Sequence, residues 1–342
     1  MTNKNLIKKT VTLPIAVTMG EPAGIGGELM CLAWASNAQD LPPIVLIDDP
    51  LRIEQLGETI KCPVKVIAIS KAIEAVEIWP EAIPVIPLSL NKPVIPGILD
   101  PSNSSAVIAS LDKAIKLTVT GETKGLVTNP IQKSVLYGEK FKDPGHTEYL
   151  ARATKANVNP VMMLVGPNLR VVPVTIHTSL SNAVKNLCID DIVHCASLSA
   201  DSLNRDFGIA RPRIVISALN PHAGENGAFG HEEISIIKPA IDIIKAKGIN
   251  VKGPSAADTL FNPQARQNYD VVICMYHDQA LIPIKMLDFH RTVNMTLGLP
   301  IVRTSPDHGT ALDIAGTGQA NPTSFIEAVK LASFISSKRE NR

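Results

Sequence analysis

Three of the eight histidines share one context. His177 follows the apolar run 171–176, His222 follows 213–221, and His277 closes 271–276. Each stands at or just past the carboxyl end of a predicted strand, where open α/β sheets place their ligands. Imidazoles brought together from three strands would make an open divalent-metal site with a position left for substrate. Each could equally be an ordinary loop histidine, because spacings of 45 and 55 residues are no local metal signature. Asp278 follows His277 directly and Asp258 lies in the stretch 253–259; either could orient a bound imidazole or accept a proton. Asp258 could as well cap a helix that starts at Thr259. Lys285, Asn294 and Arg303 are a spread set of donors after His277. In Pro144-Gly-His146-Thr147 a loop enters a helix with Thr147 as its N-cap, which would set a hydroxyl and free N–H groups beside a bound phosphate. The loop Gly20-Glu-Pro-Ala-Gly-Ile-Gly26 could approach an anion in the same way or be a tight turn without a ligand. It lacks the G-x-G-x-x-G spacing, so no Rossmann fingerprint is present.

The elements that must position these residues alternate along the chain. Apolar, β-branched runs at 14–19, 43–47, 64–69, 125–127, 161–165, 170–176, 213–218 and 271–275 predict short buried strands. Apolar residues recur at helical spacing over 104–118, 189–204 and 232–247, and the glycine loop 20–26 should open a further helix. Such alternation predicts an α/β protein with mostly parallel sheet. The proline-rich stretch 79–101 reads as an irregular excursion packed on a domain.

Composition narrows the function classes. A chain of 342 residues predicts two domains. Its 33 basic against 32 acidic residues argue against a nucleic-acid surface, and 4% aromatics leave little for base stacking. Five cysteines (31, 62, 188, 195 and 274) without C-x-x-C spacing fit reduced thiols in a cytoplasm. Lys4, Lys8 and Lys9 precede an apolar stretch, but 13–19 contains a proline and runs into the glycine loop, so it reads as a first strand and not a signal peptide. No run approaches the ~20 apolar residues of a membrane span.

The most specific motif is Ser305-Pro-Asp-His308-Gly309-Thr310-Ala311-Leu-Asp313-Ile-Ala-Gly316-Thr-Gly318-Gln-Ala-Asn321-Pro322. It resembles the nucleotide loop of the isocitrate and isopropylmalate dehydrogenases. Alongside it stand residues 17–26, Thr128-Asn-Pro-Ile-Gln-Lys133, Pro144-Gly-His-Thr-Glu148, Leu219-Asn-Pro-His-Ala-Gly-Glu225, residues 253–261 and Met275-Tyr-His-Asp-Gln279. Together, over residues 12–330, these blocks are similar to the 4-hydroxythreonine-4-phosphate dehydrogenases of vitamin B6 synthesis.

The resemblance implies two α/β/α domains around a central cleft, which we divide as 1–136 plus 305–342 and 137–304. It implies that His177, His222 and His277 hold one divalent ion (zinc, magnesium, cobalt or manganese) in a site shared between the subunits of a homodimer. His146, Thr147, Lys285, Asn294 and Arg303 would bind a phosphorylated substrate. NAD or NADP would lie near His308, Gly309, Thr310, Ala311 and Asn321. The implied reaction is oxidation of 4-phosphohydroxy-L-threonine at C3 with loss of CO2, giving 3-amino-2-oxopropyl phosphate, with Asp258 or Lys285 as proton acceptor. His231 departs from the family pattern and is read as a surface residue. The competing readings are a D-threonate or D-erythronate 4-phosphate dehydrogenase, a metal-dependent hydrolase, a phosphate acyltransferase and a two-domain binding protein.

Overall fold

A computed structural model describes residues 12–136 and 145–340. The terminal lysines at 4, 8 and 9, and Pro144 of the loop before His146, lie outside the described residues. Among the described residues twelve strands form one continuous sheet. They are β1 Ile15–Thr18, β2 Ile44–Asp48, β3 Val66–Ala68, β4 Ile83–Pro87, β5 Gly125–Val127, β6 Val161–Gly166, β7 Leu169–Pro173, β8 Ile214–Ser217, β9 Val251–Ser255, β10 Val271–Cys274, β11 Val293–Leu297 and β12 Arg303–Pro306. The order across the sheet is β3-β4-β2-β1-β5-β12-β11-β6-β7-β10-β8-β9. Pairing is parallel from β3 to β12 and from β7 to β9; the three antiparallel pairs, β12–β11, β11–β6 and β6–β7, lie in the middle.

The inner strands read as continuous apolar runs because both faces are covered. Side chains alternate across the sheet, and the two faces pack differently. On one face Ile15, Val17, Val271 and Ile273 share a single apolar cluster under the helices Gly26–Asn37, Ile189–Phe207, Lys238–Ala246 and Thr323–Glu340. On the other face Ala16 and Met19 belong to a cluster with helix Ser104–Val119, whereas Val272 and Cys274 belong to a separate one with helix His277–Leu287. The molecule is a three-layer α/β/α sandwich, with one face continuous and the other parted into two lobes.

Four differences from the sequence expectation have physical causes. The stretch 79–101 is not wholly irregular, since it contains β4, which lies inside the sheet between β3 and β2. Its ladder with β2 begins at Val85, one residue past Pro84, so the missing N–H interrupts no bond there. Strands β9, β11 and β12 escaped the pattern; β9 tolerates Gly253 and Pro254 because it is an edge strand. Thr147 is not an N-cap: helix His146–Ala153 starts two residues earlier than such a cap requires, after an extended Gly145 with no side-chain cap. Asp258 caps nothing either, since it lies inside the short helix Ala257–Leu260, whose N-cap is Ala256. No helix among the described residues is long and apolar enough to cross a membrane.

Candidate active site

Strands β7, β10 and β8 are neighbours and all parallel, so the three histidine-bearing loops leave the same edge of the sheet side by side. His277 opens helix His277–Leu287, and its ring centroid lies 6.1 Å from that of His177. Burial holds the His177 pKa below its usual value, with Lys133 and His277 adding to the effect. The ring is thereby kept in the neutral form that binds metals. Asp278 Oδ1 lies 2.6 Å from His277 Nδ1 and favours the tautomer with a free lone pair on Nε2. His222 stands apart from this pair. It begins a run of left-handed residues, His222–Asn226, and its ring faces Phe229 at 6.1 Å. Among the described residues no group of three or more histidines, cysteines or carboxylates is gathered closely enough to hold a metal. One chain thus supplies two imidazoles whose chemistry suits a divalent cation, with the third on an adjacent loop. His231 is exposed.

Both rings border a cleft of about 730 Å³ that also receives His146, Thr147, Asn294, Arg303, His308 and Gly309. Arg303 is its main electrostatic feature. The side chain is 3% exposed, and burial brings its pKa down to about 10. Its hydrogen bonds go to hydroxyls: Nε and Nη2 donate to Thr128 Oγ1 at 3.2 and 2.6 Å, and Nη1 donates to Thr296 Oγ1 at 2.9 Å. A buried guanidinium served only by neutral oxygens is a ready partner for an anion. His146 lies opposite; burial, then the charges of Arg303 and Lys133, push its pKa down to about 3, so the ring is neutral. The first turn of its helix has no side-chain cap and adds backbone N–H groups to the same wall. Asn294 Oδ1 and His308 Nε2 are buried without a partner, two unmet hydrogen-bonding positions facing a cleft.

Lys285 joins this site through Asp307. Its ammonium lies 3.1 Å from Asp307 Oδ2, an ion pair whose angle falls short of a hydrogen bond. The Asp307 carboxyl is raised by its burial, with Lys285 and nearby histidines opposing. Asp307 lines the cleft and leads from β12 into His308 and Gly309, whereas Thr310, Ala311 and Asn321 lie beyond the cleft wall. Asp258 is exposed and also outside it. A separate hollow of about 420 Å³, between helix Pro50–Thr59 and residues 90–96, contains none of the predicted residues.

Sequence reasoning gave no role to Thr128, Lys133 and Asp307, all of which line the cleft. The signal was present, because Thr128 and Lys133 bound the block 128–133 and Asp307 immediately precedes His308. What the pattern lacked was the folding of residues 128 and 303 onto one another.

A relative from Caulobacter vibrioides named 4-hydroxythreonine-4-phosphate dehydrogenase is 48% identical over 331 residues, covering 95% of this chain and 98% of its own. The crystal structure of 4-hydroxythreonine-4-phosphate dehydrogenase from Klebsiella pneumoniae is 37% identical, with a TM-score of 0.86, over 95% of this chain and 100% of its own. A terephthalate 1,2-cis-dihydrodiol dehydrogenase from Burkholderia xenovorans is 26% identical, with a TM-score of 0.62, over 94% of this chain and 98% of its own. The model of the pyridoxal phosphate biosynthetic protein PdxA matches residues 39–332. With its site and its fold arranged in this way over nearly its whole length, the chain belongs to the PdxA family.

Proposed function

We propose that this protein oxidises 4-phosphohydroxy-L-threonine at C3 with NAD or NADP and releases CO2 to give 3-amino-2-oxopropyl phosphate, in pyridoxal 5'-phosphate synthesis. The observation that carries the reading is Arg303, a buried cation bonded to hydroxyls at one end of a cleft whose other walls are the His177–His277 pair and the His308–Gly309 backbone. A phosphate at Arg303 would be held by charge-assisted bonds, with Thr147 and the helix N–H groups as further donors and the neutral His146 ring beside it. Asn294 Oδ1 would accept from the substrate. His177, His277 and His222 would hold the divalent ion, which when bound supplies Lewis-acid stabilisation of charge developing on a substrate oxygen. Gly309 has open space where a side chain would be, which lets a nicotinamide ring approach the backbone.

Of the two proton-transfer candidates, Lys285 is bound to the cleft through Asp307 and Asp258 is not. Lys285 Nζ would take the C3 hydroxyl proton as the hydride leaves for the nicotinamide, and return it to carbon after CO2 is lost. The antiparallel seam β12–β11 supports a division into 1–136 plus 305–342 and 137–304, with Tyr149, Leu150, Leu299 and Ile301 packing into the apolar cluster of the first part. The helix begun by His277 and the loop after it expose Ile282 (61%), Met286 (81%) and Phe289 (61%), an apolar face beside the histidines that suits a homodimer sharing the metal site. The same reading places the enzyme in the cytoplasm, with reduced cysteines.

The test is NADH formation with 4-phosphohydroxy-L-threonine, D-threonate 4-phosphate and D-erythronate 4-phosphate, each with added divalent metal and after chelation. Metal-dependent turnover of the amino acid alone is expected. Turnover of only a sugar-acid phosphate would overturn the substrate, and activity surviving complete metal removal would remove the histidines from the reaction.

A further inference from the structure

The loop Gly20–Gly26 after β1 resembles an anion cradle in sequence, yet its contacts go to the chain itself. A Cβ on Gly24 would lie 2.8 Å from the Thr310 carbonyl oxygen, so only glycine allows that approach. The N–H of Ile25 donates to the same oxygen at 3.1 Å. In the first turn of the helix that follows stands Glu28, a carboxylate with no solvent exposure. Its Oε2 accepts from the N–H of Gly316 at 2.8 Å and its Oε1 from the N–H of Ala320 at 3.2 Å, across 288 and 292 residues of sequence. The excursion after β4 braces the other side. Position Cβ of Gly97 would meet the Leu312 carbonyl at 2.8 Å, and Pro96 packs against Gly316.

Segment 310–320 has no regular secondary structure and leaves the sheet after β12. Its backbone is therefore located by these tertiary contacts, and Glu28 supplies the two charge-assisted bonds among them. We propose that Glu28 is a positioning residue for the dinucleotide: it fixes the turn 316–320 so that the loop presents a pre-formed surface to the adenosine half of the cofactor. The inference rests on the proposed function, with the nicotinamide at Gly309 and the rest of the nucleotide along residues 310–321 as the family resemblance implies. The glycine loop after β1 is the seat of the cofactor loop and takes no anion itself.

The experiment measures KM for NAD, KM for 4-phosphohydroxy-L-threonine, kcat and Tm for Glu28→Gln, Glu28→Ala and, as a reference, Gly309→Val. An amide in place of the carboxylate turns a donor toward one of the two N–H groups, so Glu28→Gln loses a charge-assisted bond and should raise the NAD KM about tenfold. Substrate KM and kcat at saturating NAD should stay within about twofold of wild type by the same argument. Hydrogen exchange of the 312–321 amides should quicken with the rest of the chain unchanged. A Glu28→Gln enzyme with lowered Tm and an unchanged NAD KM overturns the proposal, because Glu28 would then only support the fold. Gly309→Val separates the two levels: its Cβ would meet no protein atom within 4 Å, and the side chain should obstruct the cofactor. If it leaves the NAD KM unchanged, the cofactor reading of the loop fails; if it raises that KM while Glu28→Gln does not, the positioning role alone fails.

Discussion

Arg303 holds a position that stability alone would not select. A guanidinium only 3% exposed, whose hydrogen bonds run to Thr128 and Thr296 hydroxyls, bears a desolvation penalty that no carboxylate on those bonds repays. Activity and stability should therefore part company there. Arg303→Met fills a similar volume without the charge, and we expect it to raise Tm by a few degrees while abolishing turnover. Thermal unfolding and a turnover assay on the same preparation check both halves; a Tm that falls would mean that the hydroxyl bonds outweigh the penalty. His146 belongs to the same balance. Its neutral ring, with a pKa of about 3, lets it stand near Arg303 and Lys133 without adding a third charge.

At the scale of elements, the helix Ile189–Phe207 is tied to the C-terminal helix Thr323–Glu340 by one buried carboxylate. Burial would raise the pKa of Asp206, but hydrogen bonds from Arg205, Arg339 and Ser202 bring it to about 2. Both guanidinium groups reach it at 2.7 Å, and Ser202 Oγ donates at 2.7 Å. Removing the charge leaves Arg339, largely buried, without its partner, so Asp206→Asn should cost about 2–3 kcal/mol of stability. None of these residues borders the cleft, and turnover per folded molecule should be unchanged. Denaturant unfolding alongside kinetics measures the split; a change in KM would show that the continuous helical face communicates with the site. The two faces of the sheet also differ in kind. One is a single apolar layer and the other is parted, and the residues that line the cleft come from both sides of that parting.

For the whole molecule, the separation of His222 from the His177–His277 pair fits a metal site that one chain does not complete. Oligomeric state and metal content should then be coupled. Met286, the most exposed large apolar side chain of the helix that starts at His277, is the place to test this. Met286→Asp is expected to shift sedimentation from dimer to monomer, to release the bound divalent ion and to lower turnover by at least about tenfold, since a buried like-charge pair at a twofold contact costs several kcal/mol. A monomer that keeps its metal and its activity would show that each chain assembles the three histidines by itself.

Local pattern was enough for the strands flanked by turn residues, for the helices Ser104–Val119 and Ile189–Phe207, and for the residue types of the site, because alternation and 3.6-residue periodicity are written within a dozen residues. The block 305–322, taken with the six blocks from residue 17 to residue 279, was specific enough in spelling to point to the family. Strand β12 escaped because its polar residues Arg303, Thr304 and Ser305 break any apolar run, and they are buried only once β5 and β11 pair on either side of it. The same limit hid Thr128, Lys133 and Asp307, the Lys285–Asp307 ion pair and the bonds from Glu28 to Gly316 and Ala320. Which strands lie side by side is a property of the sheet order β7-β10-β8, and no spacing along the chain encodes it. Residue types along the chain set which groups can do chemistry, and the assembled sheet sets which of them meet, since contacts between distant segments depend on strand order.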